Sequence, residues 1–464
     1  MAGEDVWVKL PSIIIVEILS YLSLADRLNA TSACRRWRNC LFHPILWRSI
    51  HFKVKNDSRS RSKHLANMCG RFVRNVTVEF NSQICENVKE CLRILDMLAD
   101  NANLERLALR PSSCQVMQVN WLSTETEETT DLFSDSLEAI IKNARRLKHL
   151  SVGCLEDLGD HANVLLPLLA EHQTTTLETL HMATVKEDPD SYGLIEMPVS
   201  DLHSLCHLQV LGIDYDYVTT ELLDGFSTCN RVKKLERLII HVHGIEHGHE
   251  KIANDTWRRL VVTNPTVEVT LNLIHSADGA TGLLDILRPA LPLTHLRMFF
   301  CQLINVAAIN FIARHMATHL RSVQIIDAML NMTPNSYYAV FDNLSDEDPF
   351  VMLAWKCSRL THFTLIGYEM NDDDVVAIAR LRGRQLHTLE VPLCCISSVE
   401  PESDPHTVGL EYGRVGNDFN AEISKSVGRE WQPISNVQLH LAVKDPHADA
   451  EMAYLETLLQ DQAF

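Results

Sequence analysis

The chain has 464 residues, 46% of them hydrophobic, and a formal net charge of −18. With 17 glycines and 16 prolines, the composition excludes a collagen-like, mucin-like or fully disordered chain. The charge is uneven: residues 1–80 hold 13 Lys/Arg and 6 Asp/Glu, a net charge of +7, which leaves −25 for the remainder. Because an acidic chain repels phosphate backbones, we expect no direct nucleic-acid binding.

The cysteines and the hydropathy indicate the cellular environment. The chain has 13 cysteines, an odd number, and no C-x-x-C pair. This pattern is typical of reduced thiols, so we expect a location in the cytoplasm, the nucleus or both. The sequence has no run of 18 apolar residues and no signal-peptide pattern at its N-terminus, so we expect no membrane partner.

The first fifty residues contain three short segments with apolar residues at helical spacing. The first segment starts near Pro11, where a missing backbone N–H costs little. The second begins at Leu24, and the third contains Trp37. A three-helix bundle of this size buries too little apolar surface to be stable alone, so the pattern predicts docking on a partner.

This segment resembles an F-box, from Leu10-Pro11 through the C-R-x-W motif that ends at Trp37 to Leu46-Trp47. Ile13 stands where many F-boxes carry Glu. The resemblance implies binding to the adaptor Skp1 and, through it, to a cullin–RING ubiquitin ligase. The Skp1-binding residues that it implies are Leu10, Pro11, Ile14, Ile18, Leu22, Leu24 and Trp37.

After residue 70 a phrase recurs in which apolar residues occupy the first, fourth and sixth positions. Examples are Leu104-Leu107-Leu109, Leu208-Leu211-Ile213 and Leu386-Leu389-Val391. From residue 73 to residue 386 the phrase repeats at a mean spacing of about 31 residues. This is the phrase of leucine-rich repeats, in which each copy forms a strand of a parallel sheet and the residues between copies form helices.

The predicted fold is therefore α/β, with an N-terminal three-helix F-box followed by an irregular leucine-rich-repeat solenoid that has a curved parallel sheet and outer helices. The asparagine that usually follows the phrase is mostly missing, so we expect a weak asparagine ladder. The predicted domains are an F-box at 5–50, a basic linker at 51–70, the solenoid at 71–421, and a C-terminal cap and tail at 422–464. Within the cap, Trp431 is expected to cover the last strand.

Acidic residues in two loops form a candidate rim for a substrate. The rim residues are Glu127, Glu128, Asp346, Glu347 and Asp348. Such a rim would attract a basic protein substrate and steer its encounter. Plain solubility is the alternative interpretation.

A second candidate is the histidine-rich segment HVHGIEHGH at 241–249, since clustered histidines hold zinc or nickel in many proteins. A polar loop is the better interpretation, and we predict neither a metal nor a cofactor. The chain also lacks a P-loop, an H-E-x-x-H motif and a G-x-S-x-G nucleophile elbow. We therefore expect a noncatalytic protein.

The sequence, together with the F-box resemblance, predicts the substrate-recognition subunit of an SCF-type E3 ubiquitin ligase. In this interpretation the F-box binds Skp1, and the solenoid binds a protein substrate for ubiquitylation and degradation. The alternative is a leucine-rich-repeat interaction scaffold without ubiquitylation output.

Overall fold

The computed structural model describes residues 10–119, 129–189, 191–228, 231–245, 248–337, 347–398 and 411–463. They divide into two units, Met1–Thr179 together with Gln462–Phe464, and Leu180–Asp461. The predicted α/β fold class is confirmed, with a helical F-box at the N-terminus followed by parallel strands that alternate with helices.

The first unit begins with the F-box helices. They are α1 (Ser12–Ser20), α2 (Leu24–Ser32) and α3 (Arg35–Cys40), followed by a 3₁₀ turn at Pro44–Trp47. Helix α1 starts directly after Pro11, and the first turn of a helix tolerates proline because its N–H groups have no partner within the helix. Helix α2 starts after Ser23, whose Oγ accepts a hydrogen bond from the Asp26 backbone N–H at 3.2 Å.

Strand–helix repeats follow in the same unit. The elements are β1 (Ser49–Val54), α4 (Arg59–Cys69), β2 (Asn75–Phe80), α5 (Cys85–Ala99), β3 (Arg106–Pro111), α6 (Thr129–Asn143), β4 (His149–Ser151), α7 (Glu156–Asp160) and α8 (Ala162–His172). Strands β1 to β4 pair in chain order and are all parallel. The repeat phrase is in register, since Val76 lies opposite Leu107 and Leu107 opposite Leu150, and all three are buried.

The structure differs from the predicted basic linker at 51–70. That segment holds most of β1 and all of α4, and β1 pairs with β2 over its whole length. Buried and exposed residues alternate along β1, which leaves Lys53 exposed and buries Phe52. The repeat phrase therefore begins earlier than predicted, at Trp47. The sequence analysis had assigned Trp47 to the F-box motif only.

The chain passes into the second unit within β5 (Thr179–His181). The elements that follow are α9 (Val199–Ser204), β6 (Val210–Asp214), α10 (Thr220–Phe226), β7 (Arg237–Val242), α11 (Asn254–Thr263), β8 (Glu268–Ile274), α12 (Ala277–Thr281), α13 (Leu283–Ile286), β9 (Leu293–Phe299), α14 (Val306–His315), β10 (Ser322–Ile326), α15 (Pro349–Lys356), β11 (His362–Ile366), β12 (Met370–Asn371), α16 (Asp372–Arg382), β13 (Thr388–Glu390), β14 (Ile396–Ser398), β15 (Glu411–Tyr412), α17 (Phe419–Val427), α18 (Leu441–Lys444) and α19 (Glu451–Asp461).

Two sheets are built from these strands. From β6 to β11 and on to β13, neighbouring strands pair in chain order and in parallel. Strands β12, β14 and β15 form a small separate sheet. The phrase residues Leu238, Leu271 and Leu296 lie side by side in β7, β8 and β9 and are fully buried, so the repeats share one apolar core layer.

A buried polar side chain marks several of the turns that lead into a strand. Asn101, Gln173 and Arg231 each donate from one nitrogen to two backbone carbonyls that lie 23 to 32 residues earlier. Asn264 donates to the carbonyl of Phe226 and accepts a hydrogen bond from a backbone N–H. Each of the four side chains lies three or four residues before a repeat phrase. Within each unit these residues therefore form a polar ladder at the opposite end of the strands from the expected asparagines.

The segment predicted as one C-terminal cap, 422–464, divides into two parts. Trp431 is buried, and its Nε1 donates to the backbone carbonyl of Leu389 in β13 at 2.7 Å. Helix α19, by contrast, lies on the sheet face opposite the core layer. There the ring of Tyr454 stacks on Phe299 with centroids 5.2 Å apart, and Asp461 forms an ion pair with Arg297.

Candidate functional site

The surface of the F-box is the first candidate site, and helix α1 dominates it. Its sequence, SIIIVEILS, is apolar on nearly every face. Ile15 and Leu19 are fully buried in the bundle, whereas Ile13 and Ile14 are 76% and 44% exposed. Apolar side chains that stay exposed on a helix are typical of an interaction surface, so the exposed isoleucines of α1 are a candidate site for a partner.

Arg27 of helix α2 holds this helix in place. Its guanidinium donates hydrogen bonds to three backbone carbonyls, those of Leu19, Leu22 and Leu46, at 3.1, 3.2 and 2.5 Å. The guanidinium carbon also lies 5.9 Å from the centre of the Trp47 ring. One side chain thus links the end of α1 to the 3₁₀ turn, because a planar guanidinium can donate in several directions at once.

The predicted Skp1-binding residues are only partly at the surface. Pro11 and Ile14 are exposed, whereas Leu10, Ile18, Leu22 and Trp37 are half-buried. Leu24 is the first residue of α2, and its side chain lies outside the described residues. The half-buried side chains therefore belong partly to the bundle core and partly to its surface.

Three more apolar residues in this region are exposed but were not among the predicted Skp1-binding residues. Besides Ile13, Tyr21 is 79% and Ile45 is 61% exposed. Tyr21 follows the end of α1, and Ile45 belongs to the 3₁₀ turn. The signal for Ile45 was its place beside Pro44, since a short turn cannot bury every apolar residue that it contains.

Only two of the five residues of the predicted acidic rim fall within the described part of the chain. Glu127, Glu128 and Asp346 lie outside the described residues, and Glu347 is exposed. The prediction that Asp348 lies on an exposed rim is wrong, because its side chain is only 8% exposed. Its carboxylate accepts hydrogen bonds from the N–H groups of Phe350 and Val351 and from the Tyr337 hydroxyl. It caps helix α15 and is not available to attract a substrate.

The histidine-rich segment contributes to a buried polar cluster in the second unit. Asp214, His241 and His243 each offer a ligand atom, and these atoms lie within 4.8 Å of one another. Thr184 organises all three, because His241 Nδ1 and His243 Nε2 both contact its carbonyl, at 2.7 and 3.1 Å. The Asp214 carboxylate accepts from the Thr184 backbone N–H and hydroxyl at 2.8 and 2.6 Å.

This arrangement fits a hydrogen-bonded cluster better than a metal centre. Burial lowers the pKa of both imidazoles and raises the pKa of the Asp214 carboxyl. His249 binds elsewhere, with its Nε2 at 3.0 Å from the carbonyl of Tyr215, and His247 lies outside the described residues. The segment is only in part the polar loop that the sequence suggested, because His241 lies in β7 and both His241 and His243 are buried.

The open face of the repeat sheet is the third candidate surface, and part of it is covered. Ile239, Thr270 and Phe299 point away from the core layer, yet each is buried. Helix α19 lies over this region, and its Asp461 is 3.5 Å from Arg237 and also pairs with Arg297. A partner that binds this face has to use the part that α19 leaves open or displace the helix.

Similarity to known proteins covers both the helical bundle and the repeats. Residues 7–53 match the F-box-like family, so the chain carries an F-box-like domain ahead of its α/β repeats. Over 95% of its length the chain is 26% identical to F-box only protein 33 of Homo sapiens and of Mus musculus, covering 85% of each. It is 24% identical to F-box/LRR-repeat protein 21 of Mus musculus, over 92% of this chain and 89% of that protein. The chain is thus homologous to such proteins over most of its length.

Among the described residues, none of the helices combines the length and the apolar character needed to cross a membrane. The described cysteines are all free thiols, twelve in number.

Proposed function

We propose that the chain is the substrate-recognition subunit of an SCF-type E3 ubiquitin ligase. In this proposal the F-box binds Skp1, and the repeats bind a protein substrate that is then ubiquitylated and degraded. The observation that carries the proposal is helix α1, whose Ile13 and Ile14 remain exposed within a domain that matches the F-box-like family. Exposed isoleucines on a rigid helix are typical of an interface that is completed by a partner.

The chain itself would supply binding and no bond-breaking chemistry. A receptor accelerates ubiquitin transfer by raising the effective concentration of a substrate lysine near the activated ubiquitin. The family resemblance and the match at 7–53 support this division of labour. We propose a location in the cytoplasm, the nucleus or both, in keeping with the free thiols.

The test is co-purification of the full chain with Skp1 and the cullin. In one variant, Ile13→Asp and Ile14→Asp are combined, which places two charges on the exposed face of α1. Burying an isoleucine contributes about 1.5–3 kcal/mol, so partial burial of two should weaken Skp1 binding by roughly 30-fold or more. Val262→Asp is the matched control, because Val262 is 77% exposed on α11 in the second unit.

Two outcomes would contradict the proposal. Equal Skp1 binding by the double variant and the control would show that α1 is not the interface. If Skp1 binds but the half-life of every bound partner is unchanged when the chain is depleted, the protein is an interaction scaffold without ubiquitylation output.

A further inference from the structure

Sulfur atoms from two separate segments meet at one edge of the repeat sheet in the second unit. Met329 follows β10, and Cys395 ends the short 3₁₀ turn Leu393–Cys395, which follows β13. Strands β10, β11 and β13 are parallel neighbours, so their carboxyl ends lie at the same edge of the sheet. There the Sγ of Cys395 lies 3.6 Å from the Sδ of Met329, and both side chains are fully buried.

Cys394 adds a third sulfur to this pair. Its side chain is half-buried, and a hydrogen bond with the neighbouring thiol of Cys395 lowers the pKa of Cys394 and raises the pKa of Cys395. The thiolate is the form of cysteine that binds metals, so this hydrogen bond favours it at Cys394. The S–H group of Cys395 thus faces two sulfur acceptors, Cys394 and Met329, and can donate fully to only one of them at a time.

The spacing of the sulfurs suits a shared metal ion. Two sulfur atoms that each bind one metal at about 2.3 Å lie about 3.8–4.0 Å apart in a tetrahedral or trigonal site. The separation of 3.6 Å between Cys395 and Met329 is close to this value. The backbone N–H of Gly367, which follows β11, donates to the sulfur of Cys395 and would stabilise a negative charge on it. Cys394, being half-buried, offers a path of entry from solvent.

The kinds of ligand select the metal. Thiolate and thioether sulfurs are soft ligands, which favour monovalent copper, Cu(I). Zinc takes four ligands in its structural sites, from Cys, His, Asp or Glu, and methionine is not among them. Among the described residues, no His, Asp or Glu side chain joins these two thiols in a group that is close enough to share an ion. A set of two cysteines and one methionine therefore fits Cu(I) better than zinc.

We propose that Cys394, Cys395 and Met329 bind one Cu(I) ion. On binding, each of the two thiols releases its proton to solvent, and the ion bonds to both thiolates and to the thioether. The bound site has a net charge of −1, and its affinity rises with pH because protons compete with the metal. The ion would link the segments after β10 and β13. This inference concerns a different surface from the F-box and does not depend on the proposed function.

The test uses the full chain in oxygen-free buffer, with Cu(I) as the probe and bathocuproine disulfonate as a coloured competitor. The chain should withdraw one Cu(I) from the competitor, and the affinity should fall as the pH is lowered. X-ray absorption at the copper edge then identifies the ligand atoms. We expect sulfur alone, at about 2.3 Å.

Two variants with matched controls assign the site. Cys394→Ser keeps the size of the side chain and removes a thiolate, so it should weaken Cu(I) binding about 100-fold. Its control is Cys85→Ser, because Cys85 is also half-buried and lies at the start of α5.

Met329→Leu removes the thioether and should weaken Cu(I) binding about tenfold. Its control is Met316→Leu, since Met316 is likewise fully buried and follows α14. Should Met329→Leu fail to fold, Cys394→Ser still decides, because that side chain reaches the surface.

Three results would overturn the inference. The first is complete transfer of Cu(I) to the competitor. The second is equal Cu(I) affinity of Cys394→Ser and Cys85→Ser, which would assign the ion to other thiols. The third is an X-ray absorption spectrum with nitrogen or oxygen ligands. Retention of one Cu(I) by the parent chain and both controls, with weakened binding in Cys394→Ser and Met329→Leu, would support the site.

Discussion

Replacing Arg27 by methionine is predicted to loosen the F-box while the second unit stays folded. The substitution keeps an unbranched apolar stem but shortens the side chain, and it removes three hydrogen bonds, to the carbonyls of Leu19, Leu22 and Leu46. A hydrogen bond from a charged group contributes about 1.5–3 kcal/mol. Arg27 is only half-buried, so water would replace part of each bond. We expect a total loss of about 2–4 kcal/mol for the local stability of the bundle.

Amide hydrogen exchange measures this loss directly, because it reports local opening. Amides at 12–47 should exchange roughly 30- to 700-fold faster in Arg27→Met, at about 1.4 kcal/mol per tenfold, and amides of β7 to β9 should not change. Arg35→Met is the matched control, since Arg35 is exposed at the start of α3. Unchanged protection at 12–47 in Arg27→Met would refute the view that this arginine holds α1.

Two further predictions concern the buried polar residues of the repeats. Asn264→Leu leaves the backbone N–H of Leu235 without its partner, so urea unfolding should show a loss of about 2–4 kcal/mol, and a change below about 0.5 kcal/mol would contradict the polar ladder. Burial lowers the pKa of His149 to about 4, whereas the unfolded chain protonates near 6.5, so stability is lost as the pH falls from 6.5 to 4. At pH 5 this loss is about 2 kcal/mol, and His149→Phe should reduce the difference between unfolding at pH 7.5 and at pH 5; an equal difference in both proteins would contradict it.

The strands were predictable because the repeat phrase is a local signal. Leu107 and Leu109 alternate with the residues that face the other way, and this period identifies a strand without any knowledge of its neighbours. The repeat phrase is also present from Trp47 onward, but there it overlaps the end of the F-box motif. A residue that belongs to two patterns is assigned to the more familiar one, and β1 was therefore missed.

The rim prediction failed at Asp348 for a different reason. Acidic residues in a loop look alike in sequence, whether they face solvent or cap a helix. The deciding signal was Pro349, because aspartate followed by proline at the start of an apolar run is typical of a helix N-terminus. The dipeptide Asp348-Pro349 therefore predicts that Asp348 caps the N-terminus of helix α15.

Contacts between distant parts of the chain had no such signal. Asp461 reaches Arg297 from 164 residues away, and His243 depends on a carbonyl 59 residues earlier in the chain. Neither pairing leaves a periodic trace, because each depends on how separate segments fold over the sheet. The histidine segment was therefore noticed in the sequence, but the partner that fixes its protonation could be found only in three dimensions.

The same reasoning applies to the charge available to a substrate. A net charge of −25 after residue 80 suggests a uniformly acidic surface, but charges that pair with each other attract nothing else. On the open face of the sheet, Arg297 is paired with Asp461, and Arg321 lies 2.7 Å from Glu268. The acidic groups that remain for a basic partner are those outside such pairs, such as the exposed carboxylate of Glu347. The expectation of a basic substrate therefore stays a prediction for the loops at 127–128 and 346–347. Asp348 no longer belongs to it, because its carboxylate caps helix α15.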